Sequence, residues 1–378
     1  MIITCDKAQL LEALAMAGRA VAVRTPTYIL ECVLFEAVEG GYYISGNDKE
    51  LFIQTTLVPA VVEETGSIAL DAKLFTEVVR KLSGDSVFIE TDDKNNALFK
   101  AGRSKLKLGG LPGEEFPVVP ESEYSGDFAR FSLPAAELRN MIRQTIFSIA
   151  VDHPNKALNG ELIEIKNNIM QIVSVDMYRI SYCARNLGEG SPEDLSSEVR
   201  AIVPGKALNE LSRILPAGEE EQVSFFFTDR RVVFETDTFR LVSSLIEGDF
   251  VRFDQIFNED FSTMVITDRL TLLGIFERAV LLAMENRMLP IKMEIQDDDM
   301  KITAQSERGN VDDGVPCETE GKDLTIYFNP KYFIEVLRAI PEERVMIKFN
   351  TTLSPCTIRA IDSEKGFKYL IVPMRPPA

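Results

Sequence analysis

The stretch Lys73-Leu-Phe-Thr-Glu77-Val-Val-Arg80 recurs as Lys206-Ala-Leu-Asn-Glu210-Leu-Ser-Arg213 and again as Lys331-Tyr-Phe-Ile-Glu335-Val-Leu-Arg338. Each copy places a Glu four residues after a Lys and an Arg three residues after the Glu. Successive copies are separated by about one third of the 378-residue chain, which indicates a tripled domain. Each copy reads as a short helix. At about 100° per residue, Lys73, Glu77 and Arg80 share one stripe. Leu74, Phe75, Val78, Val79 and Leu82 are expected around the opposite face, and Tyr332, Phe333, Val336, Leu337 and Ile340 repeat that face in the third copy. A solvated helix face explains a single such stripe. It explains three less well, because Lys before Glu is the poorer order for an intrahelical ion pair.

A chain of this length suggests two to four domains, and the repeat selects three. The expected boundaries are 1–124, 125–254 and 255–378. Asp6, Lys7, Glu12 and Arg19 interrupt the N-terminal stretch, which reads as an amphipathic helix and not as the apolar core of a signal peptide. No apolar run is long enough to span a membrane. Cys5, Cys32, Cys183, Cys317 and Cys356 are scattered and odd in number, which fits a reducing cytoplasm.

The first pass along the chain predicts helix 7–23, strands 30–38, 42–46 and 51–58, helix 71–82 capped by Asp71, and strands 86–91 and 97–108. A linker at 111–117 follows. The order then restarts with helix 134–150, Pro134 in its first turn. Strands 161–166, 169–175, 178–184 and 198–203, helix 204–215, and strands 222–228, 231–236 and 239–245 complete the second pass. The third has helix 267–287, strands 291–296 and 300–304, helix 329–340, and strands 345–350, 356–361 and 367–373. The class is α+β, with two helices on mostly antiparallel sheet in each of three repeated domains.

The net charge of −18 argues by itself against a nucleic-acid partner. Its distribution argues otherwise. The six predicted helices hold 14 Lys and Arg against 9 Asp and Glu, whereas the rest of the chain holds 27 against 50. A mildly basic helix layer on an acidic scaffold attracts polyanions to one side only. No catalytic constellation accompanies it. The one histidine, His153, stands in a loop with no nucleophile system around it, and no phosphate loop or dinucleotide fingerprint is present. Asp297-Asp298-Asp299 and Asp312-Asp313 fall at turns, where Asp is common. No enzyme activity, cofactor or metal is expected.

Longer matches point to a family. Ser45-Gly-Asn-Asp48, Ala101-Gly-Arg-Ser-Lys-Leu-Lys-Leu108, Leu158-Asn-Gly160, Val175-Asp-Met-Tyr-Arg-Ile180, Ile202-Val-Pro-Gly-Lys206, Ser244-Leu-Ile-Glu-Gly248, Phe328-Asn-Pro-Lys-Tyr332 and Val372-Pro-Met-Arg375 occur in order along essentially the whole chain. In this it resembles the bacterial β sliding clamp, the processivity ring of the replicative DNA polymerase.

The resemblance implies a head-to-tail homodimer of six domains around a central hole. It implies sequence-independent contact with duplex DNA, for which Arg24, Lys73, Arg80, Arg139, Arg143, Lys206, Arg213, Lys331 and Arg338 are the expected residues. A contact between the first and third domains of two chains is implied, with Leu106 and Leu108 on one side and Leu281 and Leu282 on the other. A hydrophobic groove is implied for short peptides of polymerase, clamp loader and repair proteins. Its matching positions are Leu158, Val175, Met177, Tyr178, Arg179, Ile180, Val251, Gln255, Ile256, Leu370, Val372, Pro373, Met374 and Arg375.

The chain departs from the commoner family pattern in three places. Tyr178 stands where many members have His, Val251 and Gln255 where Pro and Arg are frequent, and the end Arg375-Pro-Pro-Ala378 where many end in Arg-Leu. An alternative from another class is a clamp-fold interaction scaffold that does not encircle DNA. A nuclease built on the acidic clusters is a third, and it lacks a constellation to support it.

Overall fold

A computed structural model describes residues 1–187, 198–216, 218, 220–253, 256–257, 260–283, 290–306, 309–361 and 366–376. Six α-helices occur among them: α1 (Lys7–Ala17), α2 (Ala72–Lys81), α3 (Ala135–Thr145), α4 (Gly205–Ile214), α5 (Arg269–Ala283) and α6 (Pro330–Ala339). The three repeated stretches are α2, α4 and α6. Asp71 caps α2 through a 2.8 Å hydrogen bond from the Leu74 amide, and Asn329 caps α6, with Pro330 at its first position. α1 and α3 are shorter than their apolar patterns suggest, and the end of the predicted helix 267–287 lies outside the described residues. α1 passes into a 3₁₀ turn at Gly18–Ala20, and α3 into one at Ile146–Ser148. Pro134 ends a strand, Phe131–Pro134, and does not open the helix.

Compactness divides the described chain into two units. The first contains 1–136 and 213–245; the second contains 137–187, 198–212 and the described residues from 246 onward. All strand pairings are antiparallel. In the first unit one sheet runs Ser104–Gly109, Asn96–Ala101, Ser86–Thr91, Ile2–Asp6, Val61–Glu64. A ten-stranded sheet joins strands of the first third of the chain to Gln222–Phe227, Arg231–Glu235 and Phe239–Ser244 of the middle third, through the pairing of Leu51–Thr55 with Phe239–Ser244. In the second unit a twelve-stranded sheet repeats the device: Arg179–Asn186 of the middle third pairs with Phe367–Ile371 of the last, Ser181 opposite Tyr369.

Among the described residues, eight strands lie outside the predicted set: 2–6, 61–64, 66–71, 111–112 (read as linker), 131–134, 263–268, 309–321 and 324–328. The segment 309–321 shows why. Its Asp, Glu and Gly content reads as loop, yet it is held between 299–306 on one side and 263–268 on the other. Strand formation there comes from neighbours and not from intrinsic preference.

In the first unit, α1 and α2 close over a core in which Phe35, Tyr42, Phe75 and Phe99 form a chain of ring contacts. In the second, α5 and α6 meet through Phe276 stacked on Phe333, with centroids 4.6 Å apart. Burying one such ring contributes roughly 1.5–3 kcal/mol. Leu74 departs from its expected place on the packed face of α2 and is 53% exposed. It lies about 100° from Lys73 on the helix wheel, at the edge of the apolar stripe centred on Phe75, Val79 and Leu82.

One buried carboxyl stands out. Glu161 is fully buried on the strand Gly160–Lys166, and neither of its oxygens has a hydrogen-bond partner. The Thr145 hydroxyl lies beside it, but its proton is given to the Met141 carbonyl at 2.9 Å. Burial pushes the Glu161 carboxyl up to about 8, against a smaller opposing pull from Thr145. The unfolded chain ionises this group near its ordinary 4.5, so between 4.5 and about 8 the folded state keeps a proton that the unfolded state sheds. Stability therefore falls as pH rises through that window, by at most about 1.4 kcal/mol per pH unit, and the loss is complete above it. We expect Glu161→Gln to gain roughly 2–4 kcal/mol relative to wild type between pH 5 and pH 8, read by chemical denaturation. Parallel profiles of the two proteins would show that the carboxyl is ionised in the fold.

Candidate functional site

The repeated helices present their cations as the wheel demands. Lys73 and Arg80 on α2, Lys206 and Arg213 on α4, and Lys331 and Arg338 on α6 are all exposed, while Phe75, Leu208 and Phe333 are buried beneath them. Arg143 on α3 and Arg24, in the loop after the 3₁₀ turn at Gly18–Ala20, are exposed too. Arg139 sits deeper. It is half-buried, and its Nε is sealed from solvent without a partner.

The acidic member of the motif is used differently in different copies. Glu77 pairs with Arg80 on its own helix. Glu335 turns away from Arg338 and binds Arg179, and Arg338 pairs instead with Glu277 of α5 at 2.6 Å. Among the described residues, no cluster of His, Cys, Asp or Glu could hold a metal ion. All five cysteines are free and buried, with the Cys5 and Cys183 thiols pushed up to about 12 mainly by burial. His153 ties its own loop: its Nδ1 accepts from the Asn155 amide at 3.1 Å, and its amide donates to Asn159 Oδ1 at 3.0 Å.

The second unit holds an apolar recess. The turn between strands Ile169–Val175 and Arg179–Asn186 is organised by Asp176, whose Oδ1 accepts from the Tyr178 and Arg179 amides at 3.1 Å each. Met177 takes φ +80° there, which pushes Met177 and Tyr178 outward to 65% and 58% exposure. Behind them Leu158, Val175, Ile180 and Leu370 form one buried cluster with Phe250 and Phe253, and Val372 packs against it. The C-terminal segment is held alongside: the Val372 amide donates to the Tyr178 carbonyl and the Met374 amide to the Tyr327 carbonyl, each at 2.8 Å. Pro373 and Met374 are half-buried, and Arg375, Val251 and Ile256 are exposed. Gln255 lies outside the described residues.

Arg179 locks this recess from below. Its Nε donates to Asp176 at 2.8 Å, one terminal nitrogen to Glu335 and the other to the Phe147 carbonyl, and the guanidinium lies 4.7 Å over the Tyr332 ring. Tyr332 in turn stacks on Tyr178, with centroids 6.1 Å apart. The helical pattern puts Tyr332 on the packed back of its helix and Glu335 on the charged stripe; the fold sets both beside the recess, with Phe250 and Phe253. Tyr332 occupies the same wheel edge as Leu74, and this was the available signal.

Of the four leucines expected at a chain–chain contact, Leu106 is exposed on the edge strand Ser104–Gly109 and Leu108 packs against the core of the first unit. Leu281 is 71% exposed on α5, and Leu282 is half-buried.

Three α+β repeats with outward cationic helices have the architecture of the DNA-clamp proteins. Family models for the N-terminal, central and C-terminal domains of the DNA polymerase III beta subunit match residues 1–120, 132–251 and 254–375. The beta sliding clamp of Staphylococcus aureus is 30% identical over 366 residues, 94% of each chain. A solved structure of a putative DNA polymerase III beta subunit from Eubacterium rectale is 37% identical and covers 99% of both chains at a TM-score of 0.91. The DNA polymerase sliding clamp from Bacillus subtilis is 27% identical and covers both chains fully at 0.93. The chain belongs to the DNA polymerase III beta subunit family, the beta sliding clamps, a non-enzymatic family of processivity factors.

Because Arg179 is buried and multiply bonded, its truncation strands Asp176 and Glu335. Arg179→Ala is expected to cost about 3 kcal/mol of stability in chemical denaturation. Arg179→Lys should recover only part, since an ammonium cannot serve carboxylates and carbonyl in one planar fork. A loss within about 0.5 kcal/mol for the alanine variant would mean that the network contributes nothing net.

Proposed function

We propose that this chain encircles duplex DNA as a head-to-tail homodimer and tethers replicative polymerase, clamp loader and repair proteins to it. The observation that carries the reading is the recurrence of an exposed Lys and Arg, one turn either side of a Glu, on three helices above buried apolar faces. The boundaries at 124/125 and 254/255 divide the chain into the three clamp domains. Arg24, Lys73, Arg80, Arg139, Arg143, Lys206, Arg213, Lys331 and Arg338 meet the phosphates. Weak contacts of this kind, without base readout, leave a closed ring free to slide.

The recess around Leu158, Val175, Met177–Ile180, Val251, Ile256, Leu370, Val372, Pro373, Met374 and Arg375, with Gln255 assigned to it by the family resemblance, receives the partner peptides. Exposed Met177 and Tyr178 above a buried apolar floor suit the anchoring of a few side chains. Leu106 and Leu108 of one protomer meet Leu281 and Leu282 of the other; an exposed leucine on an edge strand and another on a helix support this contact. No helix among the described residues is long and apolar enough to cross a membrane, and the reading places the protein in the cytoplasm with the chromosome.

The net charge of −18 favours a second reading, a clamp-fold scaffold that does not surround DNA. The two separate on topology. After loading, the protein should be retained on nicked circular DNA and lost once the circle is cut. Equal retention or equal loss on the two forms would exclude encirclement. In direct binding, neutralising Lys73 and Lys331 together should lower the log–log salt slope by roughly 1.8, about 0.9 for each phosphate contact. Substituting Met177 and Tyr178 by Ser should abolish peptide binding, and with it loader-dependent retention on circles, while direct binding to a linear duplex stays unchanged.

A further inference from the structure

A second recess of the second unit lies between α3, the strand Arg179–Asn186 and α6. It is a cleft of about 450 Å³, lined among others by Asn140, Arg143, Phe147, Arg185, Glu335 and Arg338. Three guanidinium groups thus border one opening, and the acidic member, Glu335, is already committed to Arg179. Arg185 shares its Nε with Glu137 at 3.3 Å and donates to the Ala184 carbonyl at 2.7 Å, and Arg338 donates to Glu277 at 2.6 Å. Each guanidinium carries more donors than these contacts use. With two of the three already ion-paired, the cleft offers an anion the unused N–H donors of its guanidinium groups and the charge of Arg143. Planar forks of N–H donors match the geometry of a phosphate better than that of a simple halide.

We propose that this cleft is a phosphate subsite. The proposal rests on the reading of α3 and α6 as DNA-facing helices, and it adds Arg185, which comes from a sheet strand and stands outside the expected set of cations. In a loaded ring the phosphate is a backbone phosphodiester. Several arginine forks hold a phosphate more closely than single exposed lysines do, so a sliding duplex bears preferentially on this part of the chain. A free phosphoanion offers the same chemistry, and the test separates the two sources.

The full-length protein is compared with Arg185→Gln, Arg143→Gln and a charge control, Arg200→Gln. Arg200 lies outside the cleft and is paired with Glu164 at 2.9 Å. Binding of a short linear duplex is followed by fluorescence anisotropy over a salt series, and binding of inorganic pyrophosphate by calorimetry. Arg185→Gln and Arg143→Gln should each weaken duplex binding roughly five- to tenfold at about 0.1 M salt and lower the log–log slope by roughly 0.9, with Arg200→Gln unchanged. Arg143 is exposed, so its variant reports even if Arg185→Gln folds poorly.

Loss of pyrophosphate binding alone supports the subsite and assigns it to a free phosphoanion. Wild-type behaviour of both cleft variants in both assays, or a loss equal to that of Arg200→Gln, overturns it. Failure of the wild type to bind duplex at all would sink the DNA reading, and pyrophosphate would still judge the cleft. Absence of both activities in the wild type would overturn both.

Discussion

Strand pairing at the ends of each repeat is the constraint on which the rest of the molecule depends. A sheet edge left open exposes unpaired amides and carbonyls and invites association. Here Leu51–Thr55 is completed by Phe239–Ser244, and Arg179–Asn186 by Phe367–Ile371. Successive thirds of the chain are therefore joined by backbone hydrogen bonds as well as by a linker. Helices that cover a sheet with one face keep the other for solvent, and this is why the charged stripe of each repeated helix remains available.

Among the described residues, the same pairing builds one turn twice. At Asn47–Leu51, Asp48 Oδ1 accepts from the Glu50 and Leu51 amides, and Lys49 takes φ +81°. At Val175–Arg179, Asp176 does the same for Tyr178 and Arg179, with Met177 at φ +80°. The backbone device is identical, and the residues it thrusts outward are not. One turn displays Lys49 and Glu50, the other Met177 and Tyr178. The apolar recess follows from side-chain chemistry at one of these two turns, and repetition of the backbone device does not repeat it.

Arg179 joins the two kinds of surface within the second unit. It lies under the recess, bonds to Glu335 of α6, and so removes from that helix the carboxylate that would otherwise neutralise its neighbours. Arg338 of the third copy is neutralised instead by Glu277 of α5, so its ion pair comes from a different helix. It also borders the arginine-lined cleft, where Arg143 and Arg185 add to the same field. Local charge at this end is decided by which acid pairs with which base, and less by the overall excess of acidic residues.

The amino-acid sequence by itself determined the tripling, the three repeated helices with the cap at Asp71, the outward cations and the α+β class. These rest on periodicity and local hydrogen bonding, which act over a few residues. Tertiary structure alone decided the rest. The strands at 263–268 and 309–321 exist because neighbours pair with them. Leu74 is exposed and Tyr332 turned toward Tyr178 because the width of each helix's buried stripe depends on what packs against it. Glu161 holds its proton because the sheet and α3 seal it from water. Glu335 pairs with Arg179, and Arg185 joins two helices at one cleft, because residues distant in the chain are brought within hydrogen-bond reach only by the folded sheet.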